Sequence, residues 1–568
     1  MTGPDLEQPK KPFSIRRLLC KPQAIYTLAA LAVMLPMLLP GYIFALDMAF
    51  TPHLRLPEYV TSSYPFYAVL HFLNLIIPSQ ILQKAMLLLI LVLSGYGMHQ
   101  LIRRIQGDKD PQADYGIWGA YFGGLLYMVN PFTYSRFMVG QFAVLLGYAL
   151  LPFFVTALMD FSRRPKQRTA YILAAWTVGI GIVSIHSIGL LIVLTLATLP
   201  LLIYRYKSNV GHLLHIGKYG LLAIAVTLAA SSYWIVPLMT GSSTTAQAIG
   251  NFTEGDQRAF ATLGSDAVNK VANVLQLQGF WADAHSLYEL PQNQMPIWGI
   301  IVLLVWALVI IGAVSMARHG QRFSLAMISI AAAAAIVLAS TNLVADIAQH
   351  VPFFAGYREP QKFVALVALM FAVCGAQGVT ALIGRFRTQN QETSFGIAAV
   401  SALLIPILLT PTMLWGFSGQ LKAHNYPPDW TAMNTQLQQD KSDSRVLFVP
   451  WHQYMSFGFT DRIVVNPAEQ FFDKPTIVSN DLEFGDASPT VPDREKDTFT
   501  RYLKQASAGS KNLGKQLASH DVEYVLLAKD NDYQKYEYLD KLADFQMTQD
   551  TSTLRLYHNL AYGRAHGQ

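Results

Sequence analysis

Apolar residues run through this chain in stretches too long and too numerous for the core helices of a soluble domain. A helix needs about 20 mostly apolar residues to cross the hydrocarbon of a bilayer. Eleven stretches approach that length: Ile25–Leu46, Leu82–Ile102, Tyr115–Val129, Gln141–Phe161, Ala170–His186, Ile188–Tyr204, Tyr219–Leu238, Ile297–Met316, Phe323–Ser340, Val364–Ile383 and Phe395–Trp415. The pattern predicts a mainly α, polytopic membrane protein of about 11 transmembrane helices. Two insertions break it, an outer loop over 47–81 and another over 240–295. In the first, Tyr64-Pro65-Phe66-Tyr67 opens an apolar stretch too short to span, which suits a helix lying in the membrane interface. The second carries Glu254, Asp256, Asp266, Asp283, His285 and Glu289 and is expected to fold over the membrane helices in short helical pieces.

After Trp415 the pattern turns soluble. Arg445–Pro450, Val522–Leu527 and Leu554–Tyr557 read as strands, and Asp493–Ser519 and Tyr533–Phe545 have helical spacing. A small C-terminal α/β domain over 416–568 follows, behind a tail over 1–24 and a membrane domain over 25–415.

Composition supports this division: 52% of the residues are hydrophobic and 14% charged, too apolar for an ordinary soluble chain. Charge then orients it. Nineteen Lys and Arg fall in the N-terminal tail and the even-numbered loops, among them Lys10, Lys11, Arg16, Arg17 and Lys21, against seven in the odd-numbered loops. Basic loops stay in the cytoplasm, which predicts a multi-pass protein of a cytoplasmic (inner) membrane, its N-terminus inside and its C-terminal domain extracytoplasmic. The formal charge of +6 is thereby assigned to lipid head groups, with no nucleic-acid patch. The first span ends in Pro40-Gly41-Tyr42 without a small-residue cleavage site, so it is expected to remain as an anchor. Cys20 and Cys374 fall at different membrane depths and cannot pair.

Asp, Glu, Lys and Arg are absent from the interiors of the eleven stretches, although ion-coupled transporters usually carry such residues there. Charge collects instead at the outer ends: Asp47, Glu58, Arg136, Arg358, Glu359 and Lys362, with His53, Arg55, His186 and His285 beside them. That arrangement suits a lipid-linked substrate whose phosphate sits at head-group depth. Arg and Lys would hold the phosphate, and a carboxylate such as Asp47 would take a proton from an attacking hydroxyl. Plainer readings exist for each: Asp47 as a solvated helix end, Arg136 and Lys362 as interfacial anchors, Glu359 as a neutralising partner of Arg358, and His186 as a hydrogen-bonded helix end.

Asp47 at the close of Gly41-Tyr42-Ile43-Phe44-Ala45-Leu46-Asp47, in a large loop after the first span, resembles the GT-C superfamily of integral membrane glycosyltransferases. Asn130-Pro131-Phe132-Thr133-Tyr134-Ser135-Arg136 with Gly140-Gln141, and Tyr357-Arg358-Glu359-Pro360-Gln361-Lys362-Phe363, look like segments of its arabinofuranosyltransferase-like bacterial and archaeal members. The resemblance implies an inverting glycosyltransferase that moves a sugar from a polyprenyl-phosphate donor to an extracytoplasmic glycan, lipid or protein acceptor. It places Asp47 as general base and Arg358, Lys362 and Arg136 on the donor phosphate, with Glu58, His53, Arg55, Glu359 and His285 in support. Some relatives hold a divalent metal on an Asp-x-Asp or Glu-x-Asp pair; here Ala49 stands two residues after Asp47, so no metal ligand set is assigned, although Glu58 or an acid of the 240–295 loop could contribute to one. Two other functions compete, a translocase for lipid-linked saccharides and a catalytically silent assembly protein of the cell envelope.

Overall fold

The computed structural model describes residues 21–107, 115–243, 245–247, 253–341, 343–350, 357–388, 392–481 and 493–566. Lys10, Lys11, Arg16, Arg17, Cys20, Asp108, Asp110, Phe353, Phe354, Glu483 and Asp486 lie outside them, as does Asn251 of the Asn251-Phe252-Thr253 sequon.

Seven described helices are long and apolar enough to cross a membrane: Ser79–Gln106, Phe142–Arg163, Ile185–Tyr206, Val210–Met239, Trp298–Arg318, Arg322–Ser340 and Pro360–Phe386. A further apolar pair, Thr393–Leu409 and Pro411–Ser418, is bent by 76° at its break and brings the number to eight when counted as one span; Pro411 has no amide to continue the ladder. The other predicted spans are helical but short. Gly116–Met128 has 13 residues and Gln167–Val183 has 17. The first span stops well before Asp47: an α-helix over Pro22–Met34 gives way to a 3-10 turn over Leu35–Leu38 and then to the short strand β1, Tyr42–Ile43. Pro36, Pro40 and Gly41 break the helix that hydrophobicity alone would continue. The protein is a multi-pass membrane protein.

Pro360–Phe386 is the central helix, with 83% of its apolar window buried against 11% for the peripheral Val210–Met239. Gly312 and Gly378 let it touch Trp298–Arg318, since a methyl on either would run into the carbonyl of Cys374 or Leu308; small residues let membrane helices approach closely. In the first of the two insertions Tyr64–Asn74 is helical, and it leaves Val69, Phe72, Leu75 and Ile76 exposed on or just past it. The second insertion contains short helices over Glu254–Ala259, Ala267–Leu275, Trp281–Ala284 and Pro291–Gln294.

The C-terminal portion holds a five-stranded mixed sheet. β1 pairs with β2 (Ala423–His424), outside that sheet. The main sheet comprises β3 (Arg445–Val449), β6 (Thr476–Ile477), β7 (Val522–Ala528), β8 (Phe545–Asp550) and β9 (Leu554–Asn559), in the order β6-β3-β7-β9-β8. β3 runs parallel to both neighbours, and β9 is antiparallel to β7 and β8. A separate antiparallel pair joins β4 (Tyr454–Ser456) to β5 (Ile463–Val465). The period-two alternation of β3 sends Leu447 and Val449 to a core with Phe499, Leu503 and Leu517, and Val446 and Phe448 to one with Trp430 and Met433. Phe44, just after β1, is buried in that second core, so the C-terminal portion grips the segment that leads into Asp47.

Candidate functional site

Asp47 occupies the tip of a tight turn. Ala45 and Met48 exchange backbone hydrogen bonds of 3.0 and 2.9 Å, which leaves Leu46 and Asp47 as the loop. The turn is held from both sides: the Asp47 amide donates to the Val139 carbonyl at 2.8 Å, and the Leu46 carbonyl accepts from Val465 N–H of β5 at 2.7 Å. Gly140 makes the first contact possible. Its φ is +78°, and a Cβ there would lie 2.6 Å from Met48 Cβ, so only glycine fits both the left-handed backbone and the close approach.

Val139 and Gly140 follow a short helix, Pro131–Met138, whose start the sequence specifies. The Asn130 side chain caps it by accepting from Thr133 N–H, and Pro131 stands in its first turn. The helix carries Ser135 and Arg136. After the break at Gly140, Gln141 begins the Phe142–Arg163 helix with its side chain directed back at Arg136.

A third segment, 357–363, lies at the N-terminal end of the central helix. The Tyr357 hydroxyl donates to the His186 carbonyl at 3.0 Å and accepts from Gly189 N–H at 2.6 Å, and Gln361 Nε2 donates to the Phe260 and Ala261 carbonyls at 2.8 and 3.0 Å. The 3-10 turn Pro360–Phe363 places Glu359 and Lys362 on one side, because residues three apart eclipse in that geometry.

These segments meet around two carboxylates. Arg136 Nη1 donates to Glu359 Oε2 at 2.8 Å and to Gln141 Oε1 at 2.6 Å, and Lys362 Nζ lies 3.5 Å from Glu359. Gln141 Nε2 donates at 3.4 Å to Glu359 and at 3.4 Å to Asp47 Oδ2, which joins the two acids. The Tyr454 hydroxyl of β4 donates to Asp47 Oδ1 at 3.0 Å. Arg136 is 1% exposed, with its guanidinium 3.8 Å from the centroid of Phe280; Arg358 stacks 4.3 Å from the Phe260 centroid. Asp283 closes the far side by accepting from Ser135 Oγ at 2.9 Å and from the Tyr288 hydroxyl.

Asp47 is crowded by protein, and burial pushes its carboxyl up to about 6, with Glu359 adding to the rise and the Tyr454 and Gln141 hydrogen bonds opposing it. The residue is nevertheless exposed to solvent. Water there limits the size of the shift but preserves its direction. Glu359 behaves oppositely: burial alone would raise it, but Lys362, Arg136 and Arg358 outweigh burial and hold it well below the usual carboxylate range. Burial also raises Asp283.

The outer charged residues therefore divide. Asp47, Arg136, Glu359 and Lys362 form one connected network, with Arg358 within electrostatic reach of Glu359 and Tyr454. Glu359 takes Arg136 and Lys362 as its ion-pair partners, and buried Arg136 is no interfacial anchor. The other three residues of the first loop go elsewhere. Arg55 binds the Phe472 and Glu469 carbonyls and Asp473, and with Glu58 lines a separate cleft of about 1010 Å³ beside Tyr59, Arg445 and Glu495. His53 is exposed near Asp473, and His285 is exposed with its ring against Trp281. Among the described residues no group of three or more His, Cys, Asp or Glu lies close enough to hold a metal ion. Sequence reasoning missed Tyr454 as a partner of Asp47 and gave Gln141 no role beyond its segment.

A family model for the N-terminal GT-C domain of alpha-(1->3)-arabinofuranosyltransferase matches residues 58–565; Asp47 precedes that stretch. The cryo-EM structure of arabinofuranosyltransferase AftD from Mycobacteria superposes with a TM-score of 0.61 at 13% identity, over 96% of this chain and 40% of that one. A substituted form of that enzyme, in two classes, gives TM-scores of 0.59 and 0.58, again at 13% identity and over 96% of this chain, with 42% and 41% of the other covered. At that identity the likeness is one of fold, and this chain spans about two fifths of the solved one. No curated protein matches. Because the family match runs through nearly all of the sequence, the chain belongs to the alpha-(1->3)-arabinofuranosyltransferase N-terminal GT-C domain family.

Proposed function

We propose that the protein is a GT-C glycosyltransferase that moves one sugar from a polyprenyl-phosphate donor to an extracytoplasmic glycan, lipid or protein acceptor. The family name points to an arabinofuranosyl residue as the sugar. In this reading the chain crosses a cytoplasmic membrane eleven times, the short helices included, with the N-terminus inside and the C-terminal α/β domain outside. The observation that carries the proposal is the connection of Asp47 to the Arg136–Glu359–Lys362 cluster through one side chain, Gln141.

Asp47 removes the proton from the acceptor hydroxyl. The resulting oxygen nucleophile bonds to the anomeric carbon from the face opposite the phosphate, the bond from that carbon to the phosphate oxygen breaks, and the electron pair departs with the phosphate. The configuration inverts. Arg358 and Lys362 hold the phosphate and stabilise the charge it gains. Arg136, bound through Nη1 to Glu359 and Gln141, works mainly by fixing those partners. A carboxyl near 6 suits the base, since a catalytic pKa close to working pH balances ionisation against proton affinity.

Asp47→Asn, assayed with purified polyprenyl-phosphate arabinose and an acceptor glycan, lowers transfer by about 10²–10⁴ while the variant purifies folded. A folded variant that transfers at the wild-type rate would overturn the assignment.

A further inference from the structure

We propose that Tyr454 is a positioning residue for Asp47: its hydroxyl, delivered by the C-terminal portion of the chain, orients the carboxylate and sets its basicity. The inference rests on the reading of Asp47 as general base and deepens it.

The β4–β5 pair grips the Asp47 turn at two points. Tyr454 and Val465 are directly opposed in that pair. Val465 N–H holds the turn's backbone through the Leu46 carbonyl at 2.7 Å, and Tyr454 holds its side chain through Oδ1 at 3.0 Å. β4 itself is braced. Met455 is fully buried in the core beneath it, which by alternation turns Tyr454 and Ser456 to the other side. Ser456 N–H donates to Asn531 at 3.2 Å and Gly458 N–H to Asp530 at 2.9 Å. The hydroxyl is thus presented by a paired strand tied to the turn that follows β7 rather than by a free loop.

The other groups around Asp47 cannot do the same work. Gln141 reaches Oδ2 only at 3.4 Å and divides its amide between Asp47 and Glu359. Glu359 repels the ionised form, and Lys362 favours it from outside hydrogen-bond contact. Arg358 faces Tyr454, and Arg136 stands behind Gln141. Among these groups Tyr454 makes the shortest hydrogen bond to the carboxylate, and its loss frees one oxygen to rotate and weakens the ionised state.

The test is the pH dependence of transfer by the full chain with purified polyprenyl-phosphate arabinose. Tyr454→Phe keeps the ring and removes only the hydroxyl. Its acid limb moves up by about one pH unit, the scale of one hydrogen bond to an ionised group, so the rate falls about tenfold below the limb and recovers toward wild type above it. An unmoved limb, or a loss equal at every pH, overturns the proposal, because a residue that merely supports the fold would lower the rate uniformly. The double variant D47N/Y454F retains the same residual rate as D47N; a further drop also overturns it. The two readings fail separately. Wild-type transfer by D47N removes the base itself, whereas an inactive D47N beside a Y454F variant with the wild-type profile removes Tyr454 alone.

Discussion

Glu359 is the one carboxylate ion-paired to two buried cations at this site, and its removal yields a stability test with an unusual sign. Its side chain is 8% exposed, and those of Arg136 and Lys362 are 1% and 7% exposed. Taking away one partner of a buried pair costs about 3–5 kcal/mol, because the charge left behind is neither solvated nor neutralised. Glutamine keeps the volume and can still accept a hydrogen bond worth about 1 kcal/mol, so Glu359→Gln is expected to cost about 2–4 kcal/mol. Arg136→Met alone leaves Glu359 with Lys362 and costs less. In the background of E359Q, R136M should restore stability, by about 1–2 kcal/mol, since it deletes a buried cation that no longer has a counter-charge. It also deletes Nε and Nη2, which are buried without hydrogen-bond partners among the described residues; the lost contact with Phe280 offsets part of this gain. The measurement is reversible unfolding in mixed detergent micelles, followed by tryptophan fluorescence at constant pH and ionic strength, for wild type, both single variants and the double. A double variant less stable than E359Q, or single costs that add to within about 0.5 kcal/mol, would refute the claim that these residues act as one compensated cluster.

Gly140→Ala should lower transfer about ten- to a hundredfold and stability by about 1–3 kcal/mol, because a non-glycine residue at this φ is strained and a small displacement of a catalytic group is costly; a wild-type rate would mean that the Asp47 turn does not depend on this contact. Asp47 and Glu359 bend the pH dependence of stability in opposite directions. The carboxyl of Asp47 is raised in the fold, so the stability it contributes is present in acid and is lost as pH climbs from the ordinary aspartate value of 3.8 through about 6. Glu359 is lowered, so its contribution is present above the ordinary glutamate value of 4.5 and is lost as pH falls through its folded value. D47N should therefore be at least as stable as wild type at pH 8 while inactive, with the difference shrinking by pH 5; unfolding midpoints at the two pH values decide it, and an advantage that grows in acid contradicts the sign.

The long apolar runs made the membrane helices legible, and the charged residues at their outer ends pointed to three of the segments that meet. What stayed hidden has physical causes. Hydropathy carried the first span to Leu46, but the prolines and Gly41 end its α-helix at Met34 and take the chain through strand before Asp47. Adjacency suggested Arg358 as the partner of Glu359, yet neighbours in sequence seldom face one another, and the chosen partner is Arg136, 223 residues away. His53, Arg55 and Glu58 are close to Asp47 in sequence, but the course of the chain after Met48 sends Arg55 and Glu58 to a different cleft and His53 to the neighbourhood of Asp473. Tyr454 lies 407 residues from Asp47, and no local pattern marks a tyrosine at the start of a three-residue strand as half of a hydrogen bond to a loop at the other end of the molecule.

That separation also imposes a timetable. Tyr454 and Val465 emerge from the ribosome some four hundred residues after Asp47, an interval of tens of seconds at about 5–20 residues per second. Throughout that interval the turn has neither its strand clamp nor its phenol. If Asp47 is the base proposed above, a half-made chain already inserted in the bilayer holds it without its partners, and its carboxylate is fixed only once the C-terminal strands have arrived.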